Sequence, residues 1–205
     1  MKSYNEILKA LESFDTEKAK EMLRENIREE AAKSKGHTSA SRYEIIKRLM
    51  KNNSTDCNKL LSKASLQPDG RYAFLSSWRV FLSDDNFGYE VEEDRPFNTS
   101  AILKDEYDDT ATLDLDEITR FIKIKGYRRT SVHIDPYMFK TDKGTIMTFN
   151  PYGLLDLIDY SGCTKVFCKG KKYPIISENK EAIVLPVINN DDEFSYERWK
   201  ERIFG

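Results

Sequence analysis

Few polar residues in this 205-residue chain have the types and spacing that catalysis needs. His133 and Asp135 stand two positions apart in SVHIDP, so on a strand both side chains would share one face. A carboxylate beside a histidine can hold a general base, but no serine or cysteine nucleophile stands next to the pair. No phosphate-binding glycine loop, zinc-protease motif or nucleophile elbow occurs elsewhere. The sequence therefore favours a binding protein over an enzyme.

A short basic segment could bind phosphate groups. In KIKGYRR, four cations and one aromatic ring surround Gly126. Cations here could equally satisfy carbonyl groups and the dipole at the end of a helix. Contact with DNA or RNA would be sensitive to salt and independent of base sequence, with the tyrosine offering a stacking face. The residues predicted for nucleic-acid binding are Lys123, Lys125, Tyr127, Arg128 and Arg129.

The net charge of -2 conceals an uneven distribution. Residues 84–117 contain thirteen acidic and two basic side chains, whereas residues 118–148 contain seven basic and two acidic ones. Such a division can create opposed fields on one small molecule. The acidic region could be a solvated loop, or a DNA mimic that presents a negative surface to a nucleic-acid-binding enzyme. The residues predicted for this acidic surface are Asp105, Glu106, Asp108 and Asp109.

The cysteines and the hydropathy indicate a reducing compartment without a membrane anchor. Cys57, Cys163 and Cys168 form no paired framework and have no histidines at zinc-ligand spacing. No apolar run approaches the ~18 residues that a membrane span requires. We expect a cytoplasmic protein with no metal and no cofactor.

The first third of the chain has the periodicity of helices and no strand-like segment. Residues 1–58 are therefore predicted to be a helical N-terminal segment containing three helices. The predicted buried positions are Ile7, Leu8 and Leu11 in the first helix, Ala19, Met22, Leu23, Ile27 and Ala31 in the second, and Tyr43, Ile46, Leu49 and Met50 in the third.

Short β-branched and aromatic segments dominate residues 60–188. Two helical patterns, LDLDEITRFIKI and GLLDLIDYS, interrupt them, and no β-α-β alternation occurs. This order predicts an α+β domain with a mostly antiparallel sheet. Residues 189–205 are predicted to form a short C-terminal helix that packs back onto it. The predicted strands are KASLQ, RYAFL, WRVFL, SVHID, GTIMTF, TKVFC, YPII and AIVLPVI.

This domain resembles a known family, most clearly in its second half. From Phe149 onward, FNPYGLLDLIDYSG, then YPII, then VLPV, is similar to the last subdomain of bacterial sliding clamps, the β-type processivity rings of DNA polymerases. The resemblance covers residues 62–188, the size of one subdomain, whereas a clamp protomer has three. Clamp helices that face DNA are usually basic, but this helix carries Asp156 and Asp159.

The resemblance implies a peptide-binding pocket. In clamps, one strand of a subdomain and the closing strand of the next subdomain form a pocket for short peptides of polymerases and repair proteins. With one subdomain per chain, the two halves are expected to meet only across an oligomer; otherwise these residues are core and edge positions. The matching positions are Trp78, Arg79, Val80, Leu185, Pro186 and Val187.

The layout of the whole chain, a charged helical N-terminal segment followed by this module, resembles small proteins of bacterial prophages and mobile elements. This resemblance, with the missing catalytic motifs, implies a non-enzymatic phage or prophage accessory protein. Its expected partner is a host or phage protein or nucleoprotein of replication, repair or defence. One alternative is an anti-CRISPR-type inhibitor that blocks a nucleic-acid-guided nuclease. Another is a salt-sensitive protein that binds DNA or RNA directly.

Overall fold

The computed structural model describes residues 4–55, 59–92, 99–131, 133–187 and 196–205. The helices are α1 (Tyr4–Glu12), α2 (Thr16–Ser34), α3 (His37–Thr55), α4 (Ser100–Lys104), α5 (Leu115–Lys125), α6 (Pro151–Ser161) and α7 (Tyr196–Phe204), and a 3-10 helix spans Lys59–Ser62. The strands are β1 (Ala64–Leu66), β2 (Tyr72–Leu75), β3 (Arg79–Ser83), β4 (Val91–Glu92), β5 (Asp109–Thr112), β6 (Tyr137–Lys140), β7 (Ile146–Phe149), β8 (Lys165–Cys168), β9 (Ile175–Ser177) and β10 (Ala182–Val184). Cys57 and residues 188–195 lie outside the described residues.

Eight of these strands form one sheet in the order β4-β1-β2-β3-β10-β9-β8-β5. All neighbours pair antiparallel except β1 with β4. The hairpin of β6 and β7 forms a second, two-stranded sheet. The predicted α+β class with a mostly antiparallel sheet is confirmed.

Helix α6 begins and ends where its sequence predicts. The side chain of Asn150 accepts a hydrogen bond from the backbone N–H of Tyr152 at 3.0 Å, and Pro151 occupies the first turn. Gly162 ends the helix with a φ of 71°, a left-handed conformation that glycine adopts without strain. Most of the α6 surface is apolar. The helix is therefore buried between β10, α3 and α5.

Helix α3 is part of the main core. Tyr43, Ile46, Leu49 and Met50 are buried, as predicted, in the same cluster as residues of the sheet and of α6. The boundary predicted at residue 58 stays a prediction, but this packing ties α3 to the domain that follows it.

Helices α1 and α2 bury less than their periodicity predicts. Ile7, Ala10 and Ala19 form a small separate cluster. Leu8, Leu11, Leu23 and Ile27 are exposed, and so is Ala31. The predicted burial of these five residues is wrong, because α1 packs on α2, and α2 on α3, through narrow surfaces that include the small side chains of Ala10, Ala19 and Ala32.

Two sequence predictions around the sheet are also wrong. Residues 131 and 133–136 form no strand, so His133 and Asp135 do not share a strand face. The chain instead begins β6 at Tyr137, where the side chains become buried. Strand β5 lies within the acidic region, where no strand was predicted, and its Asp109 is buried.

Helix α7 packs back onto the domain, as predicted. Trp199 and Ile203 are buried in the main core, and the Trp199 ring lies 5.8 Å from that of Phe121 and 5.5 Å from that of Tyr137. The boundary predicted at residue 188 stays a prediction. None of the helices in the described ranges combines the length and the apolar character that crossing a bilayer would require.

Candidate anion-binding site

A fully buried carboxylate in α6 is bound by arginines from three different parts of the chain. Arg48 Nη2 lies 2.8 Å from Asp156 Oδ1, and Arg129 Nη1 lies 2.7 Å from the same oxygen. Arg79 Nη1 donates to the other carboxylate oxygen, Oδ2. We call Arg48, Arg79, Arg129 and Asp156 the arginine site.

Regular elements fix most of the arginine site. Arg48 lies on α3 beside the buried Leu49, and Arg79 is the first residue of β3, paired with Val184 of β10. Arg129 follows α5, which ends at Gly126 with a φ of 64°. The left-handed residue turns the chain out of the helix and so brings Arg129 back towards α6.

Two aromatic rings support the guanidinium groups. The Arg79 Cζ atom lies 3.8 Å from the centre of the Trp78 ring, and the Arg129 Cζ atom lies 4.9 Å from that of Tyr152. The Tyr152 hydroxyl donates a hydrogen bond of 2.8 Å to the backbone oxygen of Tyr127 and thereby fixes its own ring. These contacts hold the arginines in place through the faces of the rings.

The arginine site carries more positive than negative charge. Three guanidinium groups contact one carboxylate, which leaves an excess of two positive charges. Burial, and then the neighbouring charges of Arg129 and Arg48, lower the pKa of Arg79. Burial and the charge of Arg48 likewise lower the pKa of Arg129, against a weaker attraction to Asp159. A bound anion would relieve this repulsion.

A small cleft adjoins the arginine site. It has a volume of about 50 Å³, and its lining includes the three arginines, Trp78 and Tyr152. The Arg79 side chain is only 10% exposed, and its Nε atom has no hydrogen-bond partner in the described part of the chain. Buried donors are normally paired, so this unpaired and solvent-inaccessible atom shows that the hydrogen bonds of Arg79 are incompletely satisfied.

The structure divides the predicted nucleic-acid-binding residues between three environments. Lys123 and Arg128 are exposed to solvent. Lys125 is paired with Asp135 at 2.9 Å, and the Tyr127 hydroxyl accepts the backbone N–H of Asp135 at 3.2 Å. Arg129 belongs to the arginine site, a position that the sequence analysis did not predict.

The sequence analysis also missed Arg48 and Asp156 as site residues. One signal was present, because Asp156 stands within the apolar run GLLDLI of a helix that is buried on most sides. A carboxylate at such a position is rarely buried unless it is paired. Nothing in the local sequence of Arg48 or Arg79 identifies either as its partner.

The two predicted halves of a peptide pocket lie side by side in one chain. The backbone N–H of Leu185 donates to the Trp78 oxygen at 2.9 Å, so the expectation that they meet only across an oligomer is wrong. Arg79 and Val80 are buried, Trp78 and Pro186 are half-buried, and Leu185 and Val187 are exposed.

The predicted acidic surface is largely neutralised. Asp105 pairs with Lys169 at 2.9 Å, and Asp108 pairs with Lys143 at 2.6 Å. Asp109 is buried and accepts the backbone N–H of Thr110 at 2.8 Å, so its assignment to a surface is wrong. Glu106 remains exposed.

Other candidate chemistry finds no cluster in the described residues. His133 is exposed, and no group of three or more metal-ligating side chains occurs in the described ranges. Cys168 is buried, and burial, followed by the charge of Asp109, raises the pKa of its thiol to about 12. Cys163 is half-buried.

Comparison with known proteins gives structural neighbours only. The chain matches no protein-family model, and no curated protein matches it in sequence. It is similar in structure to the DNA polymerase sliding clamp from Bacillus subtilis (TM-score 0.37, 13% identity, 58% of this chain and 41% of that chain). A putative DNA polymerase III beta subunit from Eubacterium rectale is similar to the same extent (TM-score 0.36, 11% identity, 58% and 41%). The chain thus spans less than half the length of either protein, and the likeness concerns the course of the chain and not a function.

Proposed function

We propose that this chain is a non-catalytic protein that binds nucleic acid, alone or within a nucleoprotein of DNA metabolism. The observation that carries the proposal is the arginine site, where three guanidinium groups surround a single buried carboxylate beside an open cleft. Arginine is the side chain best suited to phosphate recognition, because its planar fork matches the phosphate oxygens.

Cations outside the cleft support the same proposal. Lys123 and Arg128 are exposed on the segment that carries Arg129 into the arginine site. Both cations belong to the same short segment as Arg129 and add positive charge to it. Because most affinity in contacts between cations and phosphate groups comes from release of counterions, binding is expected to weaken steeply with salt.

Fluorescence anisotropy with labelled single-stranded DNA, duplex DNA and RNA tests this function. For about three phosphate contacts, affinity should fall roughly tenfold or more between about 50 mM and about 200 mM NaCl. The double variant Lys123→Gln/Arg128→Gln should bind more weakly and with a shallower salt dependence. The matched control is Lys171→Gln/Lys172→Gln, which removes two exposed cations from the turn between β8 and β9. Failure of the unmodified chain to bind any of the three probes at low salt would reject the proposal.

Protein binding where the two central strands β3 and β10 meet Trp78 and Leu185 is a second candidate. The favouring observation is that exposed Leu185 lies beside half-buried Trp78, and that exposed Val187 follows two residues later and is bonded to Thr148 of β7. A short peptide with an apolar side chain could dock there, with Trp78 as an anchor. Isothermal titration with such a peptide tests it. The variant Leu185→Glu should abolish binding, whereas Lys171→Gln/Lys172→Gln should not change it.

An anti-CRISPR-type inhibitor is a narrower form of the first proposal. A phage-borne protein of this kind would compete for nucleic acid through the arginine site and not through the acidic surface, because Asp105 and Asp108 are paired and Asp109 is buried. Phage plating on cells that carry a nucleic-acid-guided nuclease tests it. Arg129→Gln should reduce protection and Asp108→Asn should not; absence of protection by the unmodified chain would reject this form.

A further inference from the structure

We infer that the arginine site holds a terminal phosphate monoester, the group found at a phosphorylated 5′ end of a nucleic-acid strand. This inference rests on the proposed function and names the group that the site binds. It makes the chain a protein that distinguishes strand ends from the interior of a strand.

The charge of the site matches a monoester best. The arginine site has an excess of two positive charges over Asp156. A phosphate monoester carries about 1.5 to 2 negative charges at pH 7, because its second ionisation has a pKa of about 6. A phosphodiester within a strand, like a carboxylate, carries one, so either would leave part of the excess uncompensated.

The hydrogen-bond donors of the site are also only partly used. Each of Arg48, Arg79 and Arg129 donates one N–H group to Asp156 in the described structure, although a guanidinium group has five. The Nε atom of Arg79 has no partner at all among the described residues. Asp156 therefore acts as a positioning residue, which holds three arginines together beside the cleft while it accepts only one N–H group from each.

The size of the cleft suits a terminal group. Its volume of about 50 Å³ exceeds the ~10–15 Å³ that one water molecule needs. The cleft is also far smaller than the roughly 300–1,000 Å³ of a pocket for a drug-sized ligand, so a compact group such as phosphate suits it better than a base. A phosphodiester within a strand has a sugar on each side, and both sugars would have to fit at the cleft. A terminal phosphate is attached to one sugar only.

The surroundings favour nucleic acid as the source of the phosphate. Exposed Lys123 and Arg128 lie in the same segment as Arg129, and their charge favours a ligand with further phosphates, which a singly phosphorylated peptide lacks. Tyr152 at the cleft offers an aromatic ring near the first sugar and base. A phosphopeptide would use the same cleft but neither of the outer cations.

The test compares two short single-stranded DNA probes of identical sequence, labelled at the 3′ end, of which one carries a 5′-phosphate and the other a 5′-hydroxyl. The full chain should bind the 5′-phosphorylated probe about tenfold more tightly, since a charge-assisted bidentate contact is gained. In Arg129→Gln, and separately in Arg48→Gln, this advantage should fall below about threefold, provided that circular dichroism shows a folded chain. Lys171→Gln/Lys172→Gln should retain the full advantage.

The outcomes separate this inference from the proposed function. Equal affinity for the two probes overturns the inference and leaves nucleic-acid binding intact. Absence of binding to both rejects inference and function together. Tight binding of a phosphoserine peptide with no binding of either DNA probe overturns the assignment to strand ends. The comparison of the 5′-phosphorylated and 5′-hydroxyl probes on the unmodified chain tests the inference even if both arginine variants fail to fold.

Discussion

The backbone N–H of Leu185 donates a hydrogen bond to the backbone oxygen of Trp78 at 2.9 Å, and this bond extends the pairing of β3 with β10. Arg79 follows Trp78 directly and pairs with Val184, so the same ladder fixes the strand position from which Arg79 reaches Asp156. The arginine site is therefore anchored to the centre of the main sheet, where a binding site is held more rigidly than on a loop.

Replacement of Asp156 by asparagine should strongly destabilise the fold. The carboxylate is fully buried, and its loss leaves three arginines without their counter-charge. Breaking a buried ion pair from one side typically costs about 3–5 kcal/mol in the free energy of unfolding. Urea denaturation of Asp156→Asn measures the loss.

The control for this prediction lies on the next turn of the same helix. Asp159→Asn removes an exposed carboxylate from α6 and should change the free energy of unfolding by less than about 0.5 kcal/mol. Equal effects of the two substitutions would contradict a special role for Asp156. A second measurement does not need the Asp156→Asn variant. Binding of phosphate at about 10 mM should stabilise the folded unmodified chain by mass action, and it should not stabilise Arg129→Gln.

The elements around this site could be predicted from sequence, but the site itself could not. Asn150, Pro151 and Gly162 mark both ends of α6 because caps depend on neighbouring residues. By contrast, Asp156 contacts Arg48 and Arg79, which lie 108 and 77 residues away from it in the chain. Local pattern contains no information on such pairings.

Gly153→Ala should destabilise the packing of α6 against Trp78. A Cβ atom at this position would lie 2.5 Å from Trp78 Cζ3 and 3.1 Å from Val184 Cγ1. Alanine improves helix propensity by about 1 kcal/mol, but overpacking costs about 1–3 kcal/mol. The net effect should therefore be a loss of up to about 2 kcal/mol in thermal or urea unfolding.

A double-mutant cycle isolates the cause of that loss. In a Trp78→Leu background the nearest obstacle is absent, so Gly153→Ala should cost less there than in the unmodified chain. Additive effects of the two substitutions would show that the contact with Trp78 does not limit the size of the side chain at residue 153.

Trp199→Ala should show that α7 is part of the folded domain. The Trp199 side chain is 2% exposed and contacts the rings of Phe121, Tyr137, Tyr196 and Phe204. Removal of a buried tryptophan typically costs about 3–5 kcal/mol. Urea unfolding measures the cost, and Glu201→Ala on the exposed side of α7 is the control. A cost similar to that of Glu201→Ala would mean that α7 contributes little to the domain core.

The strand prediction at SVHIDP failed for a reason that also limits other sequence predictions. Its β-branched composition favours a strand, but burial of Tyr137, Met138 and Phe139 places β6 immediately afterwards. Tertiary burial overrides local propensity in short segments. The aromatic run after Pro136 was therefore the better indicator.

Binding of the 5′-phosphorylated probe should weaken as the pH falls below about 6, because protonation of the phosphate monoester removes one of its two charges. The guanidinium groups of Arg48, Arg79 and Arg129 lower the phosphate pKa in the complex, so the extra affinity is present above the free pKa and is lost as the pH falls. The arginines keep their charge throughout, since even Arg79 has its pKa lowered only to about 9. Asp156 and Asp159 of α6 and the Tyr152 hydroxyl are the other titratable groups near them.

Anisotropy titrations at pH 7.5 and 5.0 should show the advantage over the 5′-hydroxyl probe shrink several-fold, roughly as expected for the loss of one charge from the ligand. His133 precedes Ile134 of the cleft wall and is exposed, so a change in its charge is the competing cause. His133→Gln should show the same pH dependence if the phosphate titrates. Loss of the pH dependence in His133→Gln would assign it to the histidine. A pH-independent advantage in the unmodified chain would instead contradict dianion recognition, because a monoanionic phosphate would then bind the arginines equally well.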